Sequence, residues 1–97
     1  MRLRYTLPAL ADLDEALGDI TERSPLGARR VRVRIQGMID LLLEHPHIGS
    51  PTNDPTIRRM RASPYRSRIF YAATETEIVI HAVRHGARDP AGMPGNA

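Results

Sequence analysis

The stretch "RRVRVRIQGMIDLLLEH", Arg29 to His45, decides how the rest of the chain is read. Its first half alternates basic and apolar residues as a half-buried strand does. Through the whole stretch, however, Val31, Ile35, Met38, Ile39 and Leu42 recur at the spacing of one helix face. A run of ~18 residues is too long for one strand in a small domain, so the spacing predicts a helix. Gly37 in its middle costs about 1 kcal/mol relative to alanine.

Upstream, "ERSPLGARR" supplies a stop and a start, with Ser24 placed to cap and Pro25 at the first helical position. Before it, Pro8 opens another helix, in which Leu10, Leu13, Leu17 and Ile20 keep helical spacing while Asp12, Asp14, Glu15, Asp19 and Glu22 make the polar face acidic. So short a joint folds the two helices into an antiparallel hairpin. The acidic end of the first is then expected to meet Arg29, Arg30 and Arg34 of the second, at a few tenths of a kcal/mol (~0.3–0.5) per exposed pair. The N-terminal "RLRYTL" alternates, with Leu3, Tyr5 and Leu7 on one side, and reads as a strand.

Downstream, "HPHIGSPTNDP" is a loop by composition, and its His45 and His47 lack the cysteines or helical spacing of a metal site. Three strands follow, "IRRMRA" (Ile57 to Ala62), "RSRIFYAA" (Arg66 to Ala73) and "EIVIHAVR" (Glu77 to Arg84), joined by hairpin-length turns. The third is nearly apolar on both faces, as a central strand should be. Its parallel neighbour is expected to be the N-terminal strand, because a helical hairpin is the natural crossover. The predicted fold is therefore α+β: an N-terminal strand, an antiparallel helical hairpin, then three antiparallel strands, forming a four-stranded sheet with both helices on one face.

At 97 residues the chain is expected to be one domain, 1–97, with 91–97 as a flexible tail. It buries only about 60–65% of the surface it would expose unfolded. There is no cysteine, no signal-peptide pattern and no apolar run long enough to span a membrane, so a cytoplasmic location is expected. All 14 cationic residues are arginine, although the net charge is only +3. Seven of them, Arg58, Arg59, Arg61, Arg66, Arg68, Arg84 and Arg88, fall on the strand region against two acids, Glu75 and Glu77. Such a surface either accepts an anionic partner or guards exposed strands against pairing. The segment "VRHGARDP", Val83 to Pro90, favours the first, since Arg84 and His85 leave the central strand and Gly86 permits a turn that carries Arg88 back beside the preceding arginine-rich strands.

Taken together, the N-terminal strand, the helical hairpin, "HPHIGSP", the arginine-bearing strand, "RIFY" (Arg68 to Tyr71) and the final "HGARDP" resemble the RelE/ParE toxin superfamily of bacterial type II toxin-antitoxin systems, the ParE branch in particular. That resemblance implies a growth-inhibiting toxin, neutralised in a hetero-oligomer by a ParD-like antitoxin and directed at DNA gyrase. The alternative within the superfamily is a RelE-like, ribosome-dependent mRNA endoribonuclease. Arg61, Arg68 and Arg88 fall at positions resembling the basic set of such nucleases. No tyrosine follows Arg88, though, and arginine cannot act as a general base near neutral pH. His85, Tyr65 or Tyr71 are the substitutes, with His85 the best matched in intrinsic pKa. An inhibitory binding protein is therefore preferred to an enzyme, with no cofactor and no metal. An acidic, amphipathic antitoxin segment is expected against Leu10, Leu13 and Leu17 and against Arg58, Arg59, Arg61, Arg66 and Arg68, with Arg84, His85 and Arg88 facing the target.

Overall fold

A computed structural model describes residues 1–62 and 67–85. The ambiguous stretch is helical as far as Glu44, within α2 (Pro25–Glu44), which follows α1 (Leu7–Arg23) after a single residue. That residue, Ser24, does two jobs: its N–H closes α1 on the Ile20 carbonyl at 2.8 Å, and its hydroxyl accepts the Gly27 N–H of α2 at 2.9 Å. The first strand is shorter than its alternation suggests. β1 is Arg2–Tyr5, because Thr6 turns away to cap α1, its hydroxyl accepting the Ala9 N–H at 3.2 Å. Leu7 consequently lies in the first helical turn and is largely exposed instead of joining Leu3 and Tyr5.

The sheet has five strands, not four. The additional one, β2 (Ser50–Pro51), lies inside the stretch read as loop; the others are β3 (Arg58–Arg61), β4 (Ser67–Ala73) and β5 (Glu77–His85). Their order is β1-β5-β4-β3-β2, with β1 parallel to β5 and every other pair antiparallel. Two residues, one of them proline, carry no periodicity, which is why β2 is invisible before folding.

Both helices cover one sheet face. Leu17, Val31, Ile35, Met38, Ile39 and Leu42 pack there with Ile69 and Tyr71 of β4 and Ile78, Ile80 and Val83 of β5. On the other face Phe70, Ala82 and Ile57 form a small separate cluster. The helices meet through apolar residues, so their charged faces point apart. Arg29 and Arg30 are exposed and make no ion pair among the described residues, contrary to the pairing expected with the acids of α1.

Candidate functional site

The face away from the helices gathers arginines from three strands. Register places Arg61 opposite Arg68 and Arg68 opposite Arg84, with Arg59 one rung along, opposite Phe70. Cross-strand neighbours of this kind have Cβ atoms roughly 4.5–5.5 Å apart, so the guanidinium groups share one region. Arg68 is at its centre. Burial lowers the proton affinity of its guanidinium, and the positive charges of Arg59, Arg61 and Arg84 lower it further.

Arg84 reaches this group through an irregularity in β5. Phe70 pairs with Ala82 but Tyr71 pairs with Ile80, so His81 is an extra residue on β5. Beyond it the alternation reverses: Val83 turns inward to the core, and Ala82 and Arg84 turn outward. Without the bulge Arg84 would face the helices. β1 has ended by this point, and α1 takes over its edge. The Asp12 carboxylate accepts the Val83 N–H at 3.2 Å and forms a short ion pair with the Arg84 guanidinium, fixing both strand end and side chain.

Of the other expected site residues, Arg58 lies apart from the group. Its guanidinium donates to the carbonyls of Gly49 at 2.7 Å and His47 at 3.2 Å and so binds the loop after α2. Leu17 is buried in the core, Leu13 is half-buried against it, and Leu10 is exposed. Tyr65, Arg66, Gly86 and Arg88, with the turn proposed around them, lie outside the described residues. His85 is half-buried, its Nδ1 2.8 Å from the hydroxyl of the buried Ser67, which sits opposite it on β4.

Tyr71 is no free acid–base group. It is fully buried, its hydroxyl donates to the Pro46 carbonyl and accepts the Gly49 N–H, both at 2.9 Å, and burial pushes its pKa up. Gly49 must be glycine here. A Cβ would stand 2.6 Å from the Tyr71 hydroxyl oxygen and 2.7 Å from its ring. Tyr71 and Arg58 thus clamp the loop that reads "HPHIG" against the sheet. Where that loop leaves β3, a shallow open groove of about 250 Å³ forms, lined by Ile48, Gly49, Ser50, Arg59, Met60 and Arg61. Sequence reasoning missed Asp12, Ser67 and His81 as builders of this region. Asp12 was one of five acids on a helix face, and nothing in its spacing singled it out.

Residues 3–90 match the family model described as the ParE toxin of the type II toxin-antitoxin system parDE. A curated relative, Toxin RelE2 of Caulobacter vibrioides, is 33% identical over 84 residues, covering 87% of this chain and 93% of the relative. A chain from a solved structure titled as the chromosomal ParDE TA system from P. aeruginosa superposes with a TM-score of 0.72 at 20% identity. That match covers 90% of this chain and 97% of the other, and it supports the fold alone.

Proposed function

Because the chain belongs to the ParE toxin family of type II toxin-antitoxin systems, we propose that it arrests bacterial growth by binding DNA gyrase in the cytoplasm and that a ParD-like antitoxin neutralises it in a hetero-oligomer. The observation that carries this reading is the convergence of Arg59, Arg61, Arg68 and Arg84 on one sheet face. Forked, permanently charged donors at that density suit a carboxylate- or phosphate-bearing surface. They bind and orient, but they cannot remove a proton near neutral pH. Leu10, exposed at the start of α1, offers an acidic, amphipathic antitoxin segment apolar ground on the helix side, and the Arg59–Arg61 edge of the groove offers it cationic ground on the far face of the sheet.

The test is a supercoiling assay with purified gyrase beside an mRNA-cleavage assay on translating ribosomes. Inhibited supercoiling or trapped cleaved DNA, reversed by the antitoxin and weakened in Arg68→Ala, is the expected result. Codon-level cuts with untouched gyrase would replace this reading with the nuclease one. The specific feature favouring that second reading is the Ser67–His85 contact at the end of the sheet, in the register pair next to Arg68 and Arg84 but on the opposite face of the strands, which holds an imidazole where β5 ends. In that case His85→Ala abolishes cutting and Ser67→Ala reduces it.

A further inference from the structure

Charge on α2 is divided at Gly37: all four of its arginines, Arg29, Arg30, Arg32 and Arg34, precede that residue, and both of its acids, Asp40 and Glu44, follow it. The helix macrodipole favours the reverse, with acids near the N-terminus and bases near the C-terminus. α1 does not compensate, since Arg29 and Arg30 have no ion pair among the described residues. At about 100° per residue, Leu26, Arg30, Val33, Gly37, Leu41 and Glu44 fall within about 80° of arc on the side away from the core. All six are exposed, Val33 to 66% and Leu26 to 53%. A Cβ at Gly37 would meet nothing within 4 Å, so packing inside the chain does not call for glycine there. The stripe is symmetric about it. Val33 and Leu41 stand four residues either side, about 6 Å away, and Arg30 and Glu44 stand seven, about 10 Å away.

We infer that this stripe joins two copies of the chain, their α2 helices packed antiparallel and crossing at Gly37. A two-fold axis there sets Arg30 of each copy against Glu44 of the other and Val33 against Leu41, while the two glycines let the backbones approach closely. Each basic half-helix then lies beside an acidic one, which supplies the compensation that α2 lacks on its own. An acidic segment from another protein fits less well, because it would attract Arg30 but repel Glu44 on the same stripe. The opposite side of α2 rests on the sheet, so the pair has the layers sheet, helices, helices, sheet, with the two arginine faces turned outward on opposite sides. The inference is independent of what those faces bind.

Arg30 and Glu44 are exposed and have no side-chain partner among the described residues, so reversing either charge leaves the fold intact. Sedimentation velocity of the purified full-length chain, over about a hundredfold range of concentration, measures association. The unmodified chain is expected to pass from monomer to dimer. Arg30→Glu alone and Glu44→Arg alone each oppose like charges across the axis and should weaken dimerisation about tenfold or more. Mixing these two variants restores both ion pairs, so the mixture should form heterodimers within about threefold of the original affinity. The chain has no cysteine, so Gly37→Cys is expected to cross-link the dimer under mild oxidation. Gly18→Cys, equally exposed on α1 but beside Asp14, Glu15 and Glu22, is not. Monomer at every concentration overturns the inference. So does a dimer indifferent to both charge variants, which would assign association to another surface, or a mixture that stays dissociated, which would exclude the antiparallel register. If the unmodified chain is monomeric and Arg30→Glu instead weakens capture of the ParD-like antitoxin, the stripe belongs to that partner and the inference falls.

Discussion

Replacing Tyr71 with phenylalanine removes a single oxygen from the middle of the molecule and tests how the loop after α2 is held. The ring stays in the core beside Ile69 and Ile80, so the apolar contribution is nearly unchanged. What is lost is a pair of 2.9 Å hydrogen bonds, one from the buried Gly49 N–H and one to the Pro46 carbonyl. Pro46 is half-exposed and its carbonyl can turn to water, but the Gly49 N–H has no such recourse. One lost buried hydrogen bond and one stranded donor together amount to about 2–3 kcal/mol. A domain of this size holds about 5–15 kcal/mol in total, and its melting temperature should fall by roughly 10–20 °C. Urea and thermal denaturation followed by circular dichroism measure both quantities. Gly49→Ala should destabilise at least as much, and Tyr71→Phe should not rescue it, because the added Cβ also meets the ring carbon at 2.7 Å. A Tyr71→Phe variant within 0.5 kcal/mol of the parent, or one that rescues Gly49→Ala, would refute the clamp.

Three further outcomes are expected. Arg68→Ala should abolish growth arrest without loss of stability, since it relieves repulsion from Arg59, Arg61 and Arg84; a melting temperature several degrees lower with toxicity intact would contradict this. Asp12→Ala removes a strand-edge acceptor and the partner of Arg84, both partly solvent-screened, so unfolding in urea should show a loss of about 1–2 kcal/mol, with toxicity reduced as Arg84 loses its orientation. Burial raises the pKa of both Tyr5 and Tyr71 above the ordinary value near 10, so the unfolded chain sheds these protons first and stability, complete below pH 10, falls as pH rises through the raised values. The urea midpoint followed from pH 9 to 11.5 should show this decline, and Tyr71→Phe should make it shallower.

The helical hairpin and the parallel pairing of the outer strand were legible in the sequence because each rests on local signals. Ser24 and Pro25 mark a joint whatever surrounds them, and five apolar residues at helical spacing outvote six alternating ones. Parts of the site were not legible, because they depend on which residue lies across from which. "EIVIHAVR" is apolar on both faces, so nothing in it announces that His81 is supernumerary and that Arg84 therefore faces outward. Arg58 and Arg59 are adjacent and chemically identical, yet strand alternation sends one to the loop carbonyls and the other to the cationic face. Tyr71 read as a spare acid–base group because its sequence neighbours say nothing of Gly49, 22 positions away.

The five-stranded order also bears on the two meanings of an arginine-rich sheet. Arginines that guard a sheet against self-association belong on its edges, where unpaired N–H and C=O groups invite another strand. The edges here are β1 and β2, and Arg2 and Arg4 on β1 suit that purpose. Arg68 and Arg84 do not. Arg68 sits on β4, paired on both sides within the sheet, and Arg84 lies on β5 past the end of β1, where α1 covers the open side through Asp12, so neither has an exposed edge to protect. Like charges opposite each other on interior strands weaken the fold. Here the fold adds a bulge and a carboxylate from another helix to hold one of them in place. That placement supports the proposed reading of the outward cationic face as a binding surface.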